Sequence, residues 1–496
     1  MGLEMDAEKA MLIRRVGSGC AGVRLGRLTR SVRPLSPPAL SAVLILAILL
    51  ATGCTKPVRN SGPVTMIDQG WLDKAYRDSR NREIQQFTTE TGIRVEFLPA
   101  PEAAVEQLEL WRKLLANRSD TPDVYAIDDI WQGVLADDLI DLKPYLSPHD
   151  LAAFIPQSLA NDIVNDRLVA LPYEIGPAML FYRTDLLRKY GYRSPPATWD
   201  ELYRMAARIQ AGERAKGKKN FWGFVWQGAP SEALTCNALE WQASEGGGQI
   251  IEPDRTISVN NPDAIHAWER AARWVGSISP PAVTNYKEWD SFNIWQSGEA
   301  AFMRNWPIAY VVSQSDESAV KGQFDLTVLP GGRAGHATNG GPLNYGVSRY
   351  ARHPREAVML VLYICRRDVQ LRRAPLMCET PTITDLFNDP AAAEANPCFA
   401  KEKEAYEKWV VRRPSGVTGR KYPEVSRAYY EAVHSVLTGS KRGAEVAADL
   451  EAKLALITGF KTKPPGGFPR NKPSEHSLGT GPTPASSNVQ RAVTRH

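Results

Sequence analysis

VTMIDQGWLDKAYRDSRNREIQQFTTETGIRVEFLP, residues 64–99, decides the fold class. Its first five residues form a short apolar run of strand type. The polar stretch that follows places Ile84 and Phe87 at helical spacing and stops at Gly92, a residue suited to the left-handed C-cap of a helix. IRVEFLP then alternates apolar and polar side chains, the period of a strand with one buried face. Strand, helix and strand in this order predict an α/β domain with parallel pairing, because parallel neighbours need a crossover between them.

Further along, VEQLELWRKLLANRSD sets Val105, Leu108, Trp111, Leu114 and Leu115 on one helical stripe, and PDVYAIDDIW reads as a strand running out into Asp128, Asp129 and Trp131. Ligands of open α/β sheets gather beyond the carboxyl ends of strands, so two acids and an indole there make a candidate site. The competing use for either acid is to cap a helix beginning near Trp131. In LVALPYEIGPAMLFYR two proline-marked breaks precede a strand, and the chain is expected to pass there from one domain to another. Thr198 and Glu201 suit a capping box. SEALTCNALEWQASEGG is a predicted helix with Glu232 near its start, where the dipole favours a carboxylate whatever its function. EAAFMRNWPIAYVV, residues 299–312, interrupts an apolar run with Asn-Trp-Pro. Pro307 removes a backbone donor and biases Trp306 towards an extended conformation, which holds a large aromatic at a bend. The glycines of PGGRAGHATNGG lack the strand-to-helix setting of a dinucleotide loop and are assigned to turns and close backbone approach.

The termini have a different character. Basic residues up to Arg33, an apolar run over residues 39–51 and the sequence Ala51-Thr52-Gly53-Cys54 read as a signal peptide, the run being too short to span a membrane as a helix. The stretch from Lys461 onward is rich in Pro, Gly and Ser and is expected to be disordered. The chain carries a net charge of +5; residues 1–53 hold +4 and residues 461–496 hold +5, which leaves the body at −4. A mildly acidic body argues against a nucleic-acid partner. Four cysteines remain beyond the leader and Cys54: Cys236, Cys365, Cys378 and Cys398. In an exported protein they allow up to two disulfides in three full pairings, or buried free thiols.

An ordered set of segments carries a resemblance: TGIRVEF, PDVYAIDDIW with ADDLIDL, ALPYEIGPAMLFYRTDLL, WQGAPSEALTCNALEW, SGEAAFMRNWPIAY, VLPGG with NGGPLNYGVS, and RRPSG with KYPEVSRAYYEAV. Together they resemble the extracellular solute-binding proteins of carbohydrate ABC transporters, of the trehalose/maltose-binding lipoprotein type, from Thr65 to Phe460. The resemblance implies a two-lobed, type II periplasmic-binding-protein clamshell, each lobe an α/β sandwich with a mixed sheet. Residues 63–172 and 307–350 would form the N-terminal lobe and residues 173–306 and 351–460 the C-terminal lobe, after a signal peptide (1–53) and a tether (54–62). Cys54 resembles the lipidated cysteine of a bacterial lipoprotein, although Ala51 stands where Leu is usual. The protein would then be a monomer on the periplasmic or extracytoplasmic face of a membrane, needing no cofactor. It would deliver a carbohydrate ligand to a permease and its ATPase. The family's sugar contacts fall on Asp128, Glu232, Trp306 and Arg413, with Gly340 and Gly341 presenting backbone to the ligand; Trp131, Tyr173, Asn305 and Trp226 are further candidates. Gly176, Ile308 and the pair Pro342-Leu343 depart from the pattern, which leaves the identity of the sugar open.

Physical chemistry agrees with a saccharide. Asp, Glu and Arg satisfy hydroxyls with charge-assisted hydrogen bonds, and indoles pack against C–H faces. Two other classes stay in view. Asp128 and Glu232 could serve a glycoside hydrolase as acid and base. The same clamshell could take a polyol, a glycerophosphodiester, an amino sugar or an oligopeptide, Arg304 and Arg413 being suited to an anion.

Overall fold

The computed structural model describes residues 62–463 except 70–73 and 102. The leader with Cys54, and the tail from residue 464, lie outside the described residues. In chain order the strands that build the site are β1 (Val64–Ile67), β2 (Val95–Leu98), β3 (Val124–Ile127), β4 (Leu171–Ile175), β5 (Met179–Arg183), β6 (Trp222–Val225), β7 (Ala300–Asn305), β8 (Phe324–Thr327), β9 (Thr338–Asn339), β10 (Pro342–Val347) and β11 (Val410–Val411). A five-stranded sheet has the order β2-β1-β3-β10-β4, and a four-stranded sheet the order β8-β5-β7-β6. Strand β1 runs parallel to β2 and β3, as the opening sequence predicts, while β10 is antiparallel to β3 and β4. In the second sheet β7 is parallel to β6 and antiparallel to β5. Both sheets are mixed.

Each sheet has its own core. Against the first pack Phe87 and Ile84 from the helix Lys74–Thr91, together with Val358, Val361 and Ile364 from the helix Pro354–Ile364. Burying each such side chain contributes about 2 kcal/mol. In the second lobe, indoles meet in a chain: Trp226 to Trp241 at 5.0 Å, Trp241 to Trp274 at 5.6 Å and Trp199 to Trp274 at 5.4 Å between ring centroids. The helix Glu232–Glu245 runs through this core with nearly every side chain buried and ends on Gly246 at φ 98°, which a residue with a Cβ rarely adopts.

Several segments fall elsewhere than the sequence reading puts them, among them Ile308–Ser313, which packs in the core of the second sheet, and Arg367–Met377, which packs in that of the first. Phe324–Thr327, expected in the N-terminal lobe, pairs with β5 and extends the second sheet. Pro354–Ile364, expected in the C-terminal lobe, covers the first sheet, because its apolar stripe faces β10 and β4. Lys461–Thr462, expected at the start of the disordered tail, pairs in parallel with Thr256–Ile257. Thr198 caps its helix by accepting from Glu201 N–H at 3.2 Å, but the Glu201 carboxylate reaches back to Ala197 N–H at 2.8 Å, one residue beyond the expected box. Of the four cysteines, Cys378 and Cys398 form a disulfide, and Cys236 and Cys365 are buried thiols.

Glu402 is fully buried on the helix Phe399–Trp409; Thr380 Oγ1 donates to its Oε2 at 2.5 Å. Burial lifts this carboxyl from the ordinary 4.5 to about 8, against the pull of the Thr380 hydrogen bond. Between those values the folded state holds a proton that the unfolded chain has lost, so stability falls as pH rises, by up to about 1.4 kcal/mol per pH unit. Glu402→Gln removes the titration. Thermal unfolding of both proteins at about pH 5 and about pH 8 is expected to show the variant gaining on the parent at the higher pH; a constant difference would count against a buried neutral Glu402.

Candidate ligand-binding site

A cavity of about 550 Å³ is lined from both sheets, within the ~300–1,000 Å³ usual for small-ligand sites. Its polar groups sit beyond strand ends. Asp128 and Asp129 follow β3, Trp306 follows β7, Gly340 and Gly341 separate β9 from β10, and Arg413 follows β11. The small pairing of β9 with β11 brings the last two segments together.

Arg413 is the centre of the charged cluster. Its Nη2 donates to Asp128 Oδ1 at 3.1 Å and to Asp129 Oδ1, and its Nη1 donates to Glu232 Oε1 at 2.9 Å. Glu232 is the first residue of its helix, where the dipole favours its charge, and Tyr422 Oη and Ser426 Oγ also donate to it, the latter at 2.6 Å. Burial lifts Asp128 to about 7, Arg413 pulling it down and the Asp129 carboxylate pushing it up. The short helix that follows has Trp131 at its N-cap with no side-chain cap, so neither acid is spent on capping.

Trp306 is held from beneath. The Arg304 guanidinium carbon lies 4.2 Å from the indole centroid. Arg304 is itself buried and fixed by Glu240, with Nε to Oε2 at 3.1 Å and Nη2 to Oε1 at 2.5 Å, and by Gln227 at 3.1 Å. One ring face is thus occupied by a cation while the side chain lines the cavity. Asn305 Oδ1 accepts from Trp306 N–H at 2.8 Å and fixes the backbone at the Asn-Trp-Pro bend. The glycine pair serves close approach. A Cβ on Gly341 would lie 2.0 Å from Asp129 Oδ2, and one on Gly340 would lie 2.5 Å from Pro177 Cα.

Residues 75–363 match the family described as bacterial extracellular solute-binding protein. The chain belongs to the bacterial extracellular solute-binding proteins. A Deinococcus radiodurans protein named as a probable ABC transporter-binding protein is 39% identical over 384 residues, spanning 77% of this chain and 91% of that relative. Among solved structures, maltose-bound MalE3 of T. maritima is 31% identical with a TM-score of 0.73, covering 80% of this chain and 99% of that one. The GacH receptor of Streptomyces glaucescens, solved unliganded and with acarbose, shares the fold at 22% identity and a TM-score of 0.70. The family and fold are those of type II periplasmic binding proteins, which are substrate-binding proteins rather than enzymes.

In this solute-binding protein Asp128, Glu232, Trp306, Arg413, Gly340, Gly341 and Asn305 line one cavity. Three expected residues do not. Trp131 is buried edge-on against Trp111 at 6.3 Å; Tyr173 stacks on Tyr345 at 4.5 Å; and Trp226 gives its Nε1–H to Ser279 Oγ at 3.0 Å inside the indole chain. Each lies beside a site residue in sequence or on a strand leading to the cleft, but its side chain points into a lobe core. Ile308 and Leu343 line the cavity at positions where the resemblance leads one to expect aromatics, and Trp289 supplies an indole that the sequence reading did not single out. Glu174 and Glu379 also line the cavity unforeseen. Among the described residues no helix is long and apolar enough to cross a membrane, and no group of three or more His, Cys, Asp or Glu side chains could hold a metal.

Because Arg304 and Glu240 are both buried, removing one partner strands the other. Glu240→Ala is expected to destabilise the fold by about 3–5 kcal/mol, and Glu240→Leu combined with Arg304→Met to recover most of that loss. Urea unfolding checks both; a double variant as unstable as the single one would show that the pair is not the cause.

Proposed function

We propose that this protein is the substrate-binding component of an ABC importer, tethered through a lipid on Cys54 to the extracytoplasmic face of a membrane, and that it closes as a monomer on a disaccharide such as trehalose or maltose. The observation that carries the reading is the indole of Trp306, backed by Arg304, in one cavity with the carboxylates that converge on Arg413. An apolar ring face and a ring of fixed hydrogen-bonding groups match the two kinds of surface that a pyranose offers. Likeness to the maltose-bound T. maritima protein supports the same ligand class.

Closure would follow population shift. A saccharide bridging Asp128 on one lobe and Trp306 on the other has more contacts in the closed form and favours it by that difference. The permease and its ATPase would then take the ligand from the closed protein, with no cofactor involved. An anionic ligand such as a glycerophosphodiester finds less support, since Arg304 is engaged with Glu240 and Arg413 with three carboxylates. Asp128 and Glu232, the pair that could serve a hydrolase, both hold the same guanidinium.

Calorimetric titration with trehalose, maltose and sucrose, followed by recovery of the sugar, tests the reading. Saturable binding of an intact sugar is expected, and Trp306→Ala is expected to weaken it by about 10- to 100-fold, the value of a lost aromatic face. Hydrolysed sugar, or a Trp306→Ala protein that binds as tightly as the parent, would overturn it.

A further inference from the structure

Glu174 is the penultimate residue of β4, and Glu379 follows the Cys378 disulfide. The antiparallel bridge of Ile175 with Thr380, in which Ile175 N–H donates to Thr380 O at 2.9 Å, sets the two acids at the same end of the first sheet. Each side chain is more than nine-tenths buried, and each lines the cavity. Arg373 Nε donates to Glu379 Oε2, but Glu379 Oε1 and Glu174 Oε2 are buried without a hydrogen-bond donor among the described residues.

Beyond that one bond from Arg373 Nε, the donors of the neighbouring cations go to other acceptors. Arg373 gives Nη1 to Glu83 at 3.0 Å and Nη2 to Tyr173 O at 2.6 Å. Arg80 gives Nε and Nη2 to Tyr76 Oη at 3.0 and 2.8 Å and lies over the Tyr173 ring. Burial, and then the Glu379 carboxylate, push Glu174 well above the usual carboxylate range, with Arg80 and Arg373 opposing them. Two carboxylates set this close resist being ionised together, and a shared proton relieves that repulsion. The rest of the lining has the same sign: six further acidic side chains against Lys287 and Arg413, and Arg413 is already bonded to three of the six.

We infer that Glu174 and Glu379 form a subsite for a protonated amine, and that the ligand is an amino-substituted saccharide whose ammonium group docks between the two carboxylates. The inference rests on the saccharide reading above and narrows it. An ammonium has three donors and no acceptor, which suits two facing acceptor groups with two unmet oxygens. Binding leaves both carboxylates ionised, and the proton they had shared passes to the buffer. A neutral sugar hydroxyl can give one hydrogen to the pair and leaves that proton in place.

The experiment compares trehalose with its 2-amino-2-deoxy and 6-amino-6-deoxy derivatives by calorimetry at pH 7, in phosphate and in Tris. One aminated sugar is expected to bind at least about 10-fold more tightly than the parent, the value of one charge-assisted contact. Its apparent enthalpy is expected to differ between the buffers by the heat of the released proton, whereas the parent's is not. Glu174→Gln, which keeps the shape and removes the charge, is expected to abolish both the preference for the aminated sugar and the proton release. If the parent sugar binds as well as either amine, or if Glu174→Gln weakens both alike, the inference falls and the saccharide reading stands. If neither sugar type binds, both fall. Should Glu174→Gln fail to fold, the buffer comparison on the unmodified protein still decides between release of a proton and none.

Discussion

Arg413 lies buried among three carboxylates, two at the end of β3 and one at the start of the helix Glu232–Glu245. Taking those charges out of water costs several kcal/mol each, and attraction repays the cost only when geometry is good and the remaining lone pairs are met. That condition explains the surroundings. Tyr422 and Ser426 complete Glu232, the helix N-terminus adds its dipole, and Gly341 lets Asp129 come within reach by having no side chain. Asp128 and Asp129 belong to the first sheet, and Glu232 belongs to the second lobe. The cluster therefore ties the two walls of the cleft together, and separating them would exchange its ion pairs for water. A ligand needs only to shift that balance.

Trp306 depends on a second buried ion pair in the same way. A tryptophan at a bend could turn to either side. Arg304, pinned by Glu240 and Gln227, fills one face and leaves the ring beside the cavity. The Asn-Trp-Pro sequence supplies the bend and the Asn305 hydrogen bond, but the orientation comes from a helix more than sixty residues earlier in the chain.

This separates what the sequence shows from what it hides. The β-α-β opening is readable because its periods are local, and Ile84 and Phe87 are buried as their spacing predicts. The strand-end acids and the Asn-Trp-Pro tryptophan are readable because their neighbours fix their position. Whether an aromatic faces a cleft or a core depends on which partners meet it across the fold, so Trp131, Tyr173 and Trp226 look like site residues in sequence and turn inward in space. The lobe assignments of Phe324–Thr327 and Pro354–Ile364 fail for the same reason: each is a regular element of clear type, but its docking surface is chosen by sheet order. Glu174 and Glu379 are the extreme case. Nothing periodic surrounds Glu379, and only the Ile175–Thr380 bridge makes the two acids neighbours.

The balance of charge in the cleft constrains its occupant beyond shape. With Arg413 satisfied by protein carboxylates, the cavity offers many acceptors and few free donors. A ligand enclosed there must supply those acceptors donor for donor, because a desolvated carboxylate left unmet costs more than the hydrogen bond itself contributes. A site of this kind rejects a ligand that lacks one donor far more strongly than an apolar pocket rejects one that lacks a methylene. On the proposed reading, the acids around Arg413 and the Glu174–Glu379 pair would make the cleft a reader of donor positions, while Trp306 would only require a face to rest on. If the ligand is a saccharide, discrimination between sugars of equal size would fall to the carboxylates.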